Sequence, residues 1–303
     1  MGRRRWKVWL ALRGDRRSTL AFANFTFPKQ TMSQPVIVGA VLYDPKVSVI
    51  WEIIRDFFEA NGRPMDVVFY TNYELQNQGL MSGHLDVAWN SPLAWLDAQR
   101  LSGGTCRAIA MRDTDRDRVS HLVVRADGGV ESVADLRGQT VALGALDSPQ
   151  ARLIPIGHLH RQGLELGQDY QERRFDVLVG KHGDHIGGEK DAFQCLAAGE
   201  AAACAMLDLN WQAWMADGTI DASRFKILET TAPFDHCVFT VRADFDPALE
   251  QHWLDVLYGM SYDNPLHREM MDMEGLKKWE PGRVTGFGPL TEAVGLTDFF
   301  AAR

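Results

Sequence analysis

A strand-length apolar run that breaks at a small or polar turn and resumes as a helix occurs three times in this chain. The three copies are LDVAWNSPLAW at residues 85–95, TVALGALDSPQARL at 140–153 and AAACAMLDLNWQAW at 201–214. Ser, Asn or Asp stands at each break, beside Pro in the first two. Such side chains accept from the unpaired N–H groups of a first helical turn, and Pro presets the φ that the turn needs. Repetition of this unit commits the chain to α/β layering, with several helix N-termini aimed at the ends of strands. Those tips carry unpaired N–H groups and partial positive charge, so they favour an anionic guest. Binding of a small molecule bearing an oxyanion is the first functional expectation.

The remaining elements follow from periodicity. Strands are expected at 36–42, 65–71, 85–89 and 107–111, alternating with helices at 47–60, 73–81 and 92–100. The helix at 47–60 carries the apolar stripe Val47, Ile50, Ile53, Ile54, Phe57 and Phe58 and stops at Asn61-Gly62. A polar stretch at 112–118 leads to a second series: strands at 121–125, 175–179, 201–207 and 225–229, with helices at 150–162, 190–198 and 211–216. A strand at 236–241 is followed only by helices, at 247–262, 265–276 and 289–301. The alternation implies mostly parallel sheets covered on both faces. The fold class is therefore α/β, with two Rossmann-like lobes joined by two crossovers, the second near 237–242. Lobe one takes residues 32–118 and 240–303, lobe two takes 119–239, and a cleft lies between them. Residues 1–31 are set aside as an extension or a misassigned start.

Composition excludes several classes. A length of 303 residues exceeds one ordinary domain and suits two. The net charge of −8, with basic residues scattered, speaks against a nucleic-acid surface. No run approaches the roughly twenty apolar residues that span a bilayer. The basic start GRRRWKVWLALRGDRR has too short an apolar core to read as an export signal, which leaves a cytoplasmic location open. The cysteines, Cys106, Cys195, Cys204 and Cys237, show no metal-ligand spacing and sit mostly in apolar runs, so buried free thiols are expected and no metal or cofactor is.

With these elements in place, Tyr43-Asp44-Pro45, the stretches at 71–95, 130–155 and 187–208, and EGLKKWEPG at 274–282 together resemble the phosphate/phosphite/phosphonate-type substrate-binding proteins of ABC transporters. The likeness runs from Val36 to the C-terminus. It implies a type II periplasmic-binding fold that closes on an oxyanion-bearing solute, an ABC permease as partner, and a periplasmic location. Where the family usually shows a Ser or Thr run before Gly, this chain has Ser148-Pro149-Gln150-Ala151-Arg152. Where the family shows a Ser-His-Asp turn, it has Glu189-Lys190-Asp191. Both departures point away from plain phosphate; a phosphonate-like solute is what the resemblance implies.

Candidate ligand-binding residues cluster at the strand ends. Asn90 and Ser91 open one helix, Ser148 and Gln150 another, and each is equally an ordinary cap. Tyr43 closes the first strand at the cleft edge, where its ring and hydroxyl can cover a guest, or simply pack a turn. Thr71 and Asn72 end the second strand, and Asn72 also suits a plain N-cap. The loop 181–190 crowds His182, Asp184, His185, Glu189 and two lysines around three glycines; His185 and Lys190 are its candidates, against the reading of a solvated loop. Asp208 ends a strand, and the resemblance implies pairing with an amino group on the ligand, against an N-cap for the helix at Trp211. His236-Cys237 falls at the expected crossover and suits a hinge, while Trp89, Trp95, Trp211 and Trp214 read as core. Two other functions remain open: a cytoplasmic biosynthetic enzyme on the same scaffold, for which no nucleophile–base set is legible, and a cytosolic ligand sensor.

Overall fold

The computed structural model describes residues 34–184 and 186–301, so the expectation for 1–31 falls outside the described residues. Strand β1 (Val36–Val41) is buried at five of six positions because it runs between two neighbours. Helix α1 (Lys46–Ala60) turns Val47, Ile50, Trp51, Ile54 and Phe58 onto the sheet. After β2 (Met65–Tyr70), helix α2 (Tyr73–Met81) begins where Asn72 Oδ1 accepts from Leu75 N at 2.8 Å. The fully buried β3 (Val87–Asn90) leads into α3 (Pro92–Ser102), capped by Ser91, and β4 (Arg107–Arg112) follows.

The chain then crosses through 113–119 into the second lobe: β5 (Ser120–Arg125), β6 (Thr140–Leu143), α4 (Ile154–Arg161), β7 (Gln171–Arg174), α5 (Glu189–Ala197), β8 (Ala203–Leu207), α6 (Asp208–Ala216) and β9 (Phe225–Thr230). It returns through 231–237 to β10 (Val238–Val241), α7 (Pro247–Tyr258), α8 (Pro265–Met273), β11 (Trp279–Pro281) and α9 (Gly288–Leu296). The first sheet is ordered β11-β4-β10-β3-β1-β2 and the second β7-β6-β8-β5-β9. Two α/β lobes joined by two crossings are thus present, as the strand–turn–helix repeats require.

Three local expectations need correction. The sheets are mixed rather than mostly parallel: β10 lies antiparallel between β3 and β4, and β5 antiparallel between β8 and β9. The crossings impose this, because a strand arriving from the other lobe enters its new sheet from the opposite end. The strand expected at 175–179 is instead β7 at Gln171–Arg174, a largely exposed edge strand whose charged residues show no apolar alternation. The C-terminal region is not purely helical, since β11 pairs with β4 at the edge of the first sheet.

Burial accounts for the cohesion of each lobe. Trp89, Phe239, Trp253 and Trp279 form an aromatic centre in lobe one, with Trp89 and Phe239 ring centres 4.5 Å apart. Lobe two packs Val141, Leu143 and Leu159 on one sheet face and Phe193, Leu196 and Met206 on the other. Helix α9 packs against α4, where a Cβ on Gly157 would meet Ala293 Cβ at 3.2 Å. The two crossings run side by side: Arg118 and Phe234 exchange backbone bonds of 2.8 and 2.7 Å, and His236 N donates to Asp115 O at 2.7 Å.

Candidate functional site

A cavity of about 310 Å³ opens beside the paired crossings and takes its wall from both lobes. Lobe one supplies Tyr43, Trp89, Arg112 and Glu274, the crossings Asp115, Arg118, His236 and Cys237, and lobe two Gln150, Asp184 and Asn210. These positions follow from the topology: Tyr43 closes β1, Arg112 ends β4, and Asn210 lies in the first turn of α6.

The electrostatics of the wall are mixed. Arg112 reaches Asp115 through Nε at 2.6 Å and Nη2 at 2.8 Å, and Glu274 through Nη1 at 2.7 Å, with its guanidinium 5.3 Å from the Trp89 ring. Burial alone would raise the Asp115 carboxyl, but the Arg112 charge and its hydrogen bonds outweigh burial and hold it near 2. Arg118 Nη1 lies 3.2 Å from Asp208 Oδ2. Burial raises the Asp184 carboxyl and pushes the Tyr43 phenol far above its usual range. The lining holds three cations, Lys46, Arg112 and Arg118, against four carboxylates, Asp115, Asp184, Asp272 and Glu274. That balance suits a guest carrying both signs of charge better than a bare dianion.

The two helix tips flanking the cleft are covered by one loop of lobe two. Ser91 Oγ accepts from Ala94 N at 3.1 Å and lies 2.7 Å from His182 Nδ1, within hydrogen-bonding distance. The His182 ring stacks on Tyr73 at 4.7 Å, and the Tyr73 hydroxyl donates to Asp184. Tyr73 N donates to Gly180 O at 3.2 Å, while Lys181 Nζ donates to the carbonyls of Leu42, at 2.6 Å, and Thr71. In lobe two, Gly183 passes so close to the other tip that a Cβ there would sit 2.6 Å from Ser148 Oγ and 2.7 Å from Gln150 Nε2.

Among the residues singled out from sequence, Tyr43 and Gln150 line the cavity. Gln150 Nε2 donates to Gly183 O at 3.0 Å and Glu189 Oε1 at 3.2 Å. Ser91 and Ser148 cap their helices beneath the loop, and Asn72 caps α2. Asn90 faces the interior: its amide donates to Asn77 and Thr240 at 3.1 Å each, and its oxygen accepts from Gln76 at 2.8 Å. Thr71 is exposed and engages the loop through its carbonyl. Asp208 is the first residue of α6 and pairs with Arg118, and Lys190 is exposed on α5. His185 lies outside the described residues.

Sequence reasoning passed over Arg112, Asp115, Arg118, Asn210 and Glu274, which the crossings, α6 and the C-terminal region deliver, and named Glu189 in its loop without making it a candidate, though it is fully buried. Glu189 Oε2 accepts from Leu207 N at 2.9 Å and Asn210 Nδ2 at 2.7 Å, yet burial dominates and pushes its carboxyl up to about 7. The signal available was an acid at the first position of a helix, directly after two glycines.

A family model described as "ABC transporter, phosphonate, periplasmic substrate-binding protein" matches residues 44–290, and the chain belongs to this family. Among solved structures, XAC2383 from Xanthomonas citri, bound to chloride ion, is 19% identical with a TM-score of 0.67 over 89% of this chain and 100% of that one. PhnD1 from Prochlorococcus marinus, in complex with methylphosphonate, is 16% identical with a TM-score of 0.66 over 87% and 98%. SsuA, the aliphatic sulphonate binding protein of Escherichia coli, is 14% identical with a TM-score of 0.56 over 89% and 87%. These likenesses establish the type II periplasmic-binding fold. An uncharacterized protein of Haemophilus influenzae is 49% identical over 39 residues, 13% of this chain, which thus spans 55% of that curated relative's length.

Proposed function

We propose that this chain is the solute-receiving component of an ABC importer, acting in the periplasm, and that its cavity takes a small phosphonate-type zwitterion. The observation that carries the reading is the lining itself, in a chain of the phosphonate family: cations and carboxylates from both lobes face about 310 Å³ of space. A volume near the lower end of ligand pockets, roughly 300–1,000 Å³, suits a solute of few atoms. In this reading Arg118, Lys46 and Asn210 meet the phosphonate oxygens, and Asp272 and Glu274 meet an ammonium group. Tyr43 closes over the carbon linker, and the tips at Ser91 and Ser148 act as supports for the loop that shuts the site.

Isothermal titration with aminoethylphosphonate, methylphosphonate and methanesulfonate tests this. The expected order is tightest for the first, with Arg118→Ala weakening it by roughly tenfold or more, as loss of a charge-assisted hydrogen bond does. Folded protein that gives neither heat nor a rise in melting temperature with any of the three overturns the binding reading. Recovery of the native protein from the cytosol of its source cells overturns the importer role.

A further inference from the structure

The paired crossings bring three metal-ligating side chains of different chemistry to one point. His236 Nδ1 lies 3.1 Å from Cys237 Sγ and 3.6 Å from Asp115 Oδ1, and the donor atoms of all three fall within 4.8 Å of one another. A tetrahedral centre with metal–ligand bonds of about 2.0–2.3 Å sets its donors about 3.3–3.8 Å apart, close to the spacing found. Asp184 Oδ1, on the loop of lobe two, lies 4.0 Å from Cys237 Sγ, beside the three donors but outside their compact set. The main chains that carry Asp115 and His236 are held together, since His236 N donates to Asp115 O. Asp115, His236 and Cys237 are 2%, 7% and 2% exposed, and it is the Nδ1 side of the His236 ring that faces both other donors.

We propose that Asp115, His236 and Cys237 bind a zinc-type divalent cation at the hinge, with Asp184 of the second lobe completing the set in the closed form. Thiolate, imidazole and carboxylate donors in a compact set select zinc or its close relatives over magnesium or calcium. Binding draws the proton from the Cys237 thiol, so a divalent cation plus the thiolate brings the lining from a surplus of one negative charge to neutrality. Arg112 keeps its place behind the metal-facing carboxylate, an outer partner that orients Asp115. Because the three donors sit on the crossings and the fourth on the loop, the cation ties lobe closure to occupancy of the hinge. The inference stands apart from the phosphonate reading, because metal content is measured with no solute present.

The full chain is stripped with chelator, reloaded with zinc, desalted and assayed for metal. Cobalt substitution is then followed by its thiolate charge-transfer and ligand-field bands. The expected result is about one retained equivalent per chain and a cobalt spectrum with thiolate and tetrahedral character. Cys237→Ser and His236→Gln should reduce retained zinc to background, and Cys195→Ser should leave it unchanged. If Cys237→Ser does not fold, zinc protection of Cys237 from alkylation in the wild-type chain gives the same readout by mass mapping. Wild-type protein that retains no more zinc than the His236→Gln variant overturns the proposal, as does a cobalt spectrum without a thiolate band or a Cys237 alkylated equally with and without zinc.

Discussion

Ser91 Oγ at the tip of α3 and His182 Nδ1 on the lobe-two loop lie 2.7 Å apart, both fully or nearly fully buried. The hydroxyl that caps a lobe-one helix is thus also the anchor for a segment of the other lobe, and the stacked Tyr73 ring extends the contact. Replacing the ring by His182→Ala removes the hydrogen bond and the stacking together. The expected loss is about 1–2 kcal/mol of stability, with faster amide exchange in the loop and at the start of α2. Hydrogen-exchange mass spectrometry checks it; unchanged exchange in both segments would mean the contact does not hold the lobes.

Gly183 adopts φ +79° and lies against Ser148 and Gln150. Gly62 has a similar φ, +73°, but a Cβ there meets nothing within 4 Å. The pair separates backbone strain from crowding. Gly62→Ala should cost about 1 kcal/mol from the left-handed backbone alone. Gly183→Ala carries the same strain plus a clash that displaces the loop, for a total of roughly 2–4 kcal/mol. Urea unfolding of the two variants measures the difference, and equal losses would show that the loop yields freely.

Much of this fold is legible because its helices pack one stripe and its central strands are apolar throughout. The helix expected at 47–60 is found at Lys46–Ala60, and that at 73–81 at Tyr73–Met81. β7 escapes because an exposed edge strand of Gln, Glu and Arg buries nothing that would set a pattern, and β11 because three residues are too few to show a period. The candidate site divides similarly. Caps such as Asn72, Ser91 and Ser148 announce themselves locally, whereas the cavity wall depends on meetings distant in sequence: Arg112 with Glu274, Asp115 with His236, Arg118 with Asp208. Asn90 was legible as a strand end, but the buried partners that consume its amide were not.

Glu189 makes stability depend on pH through a group outside the hinge. Its carboxyl is raised by burial to about 7 in the folded chain, against 4.5 for the ordinary side chain. Between those values the folded state binds more protons than the unfolded, so its contribution is complete below about 4.5 and is lost as pH rises toward about 7. Glu189→Gln, neutral throughout, should flatten that part of the profile. Urea midpoints of the two proteins across this range decide it: parallel curves would assign the titration elsewhere.

Arg112 compensates two carboxylates at once, so its removal is the most damaging single change expected in the cavity wall. Arg112→Met keeps much of the stem over Trp89 but leaves Asp115 and Glu274, 2% and 8% exposed at their side chains, without their guanidinium. Breaking one side of a buried pair costs about 3–5 kcal/mol. The wild-type Asp115 carboxyl is held near 2 against an ordinary 3.8, so its stabilisation is present above about 3.8 and lost as pH falls through about 2. The variant lacks that contribution, and its deficit relative to wild type should shrink as pH falls across the same window. Paired thermal melts from neutral to acidic pH provide the measurement, and a deficit that stays constant would place the stabilisation in Arg112 packing rather than in its charge.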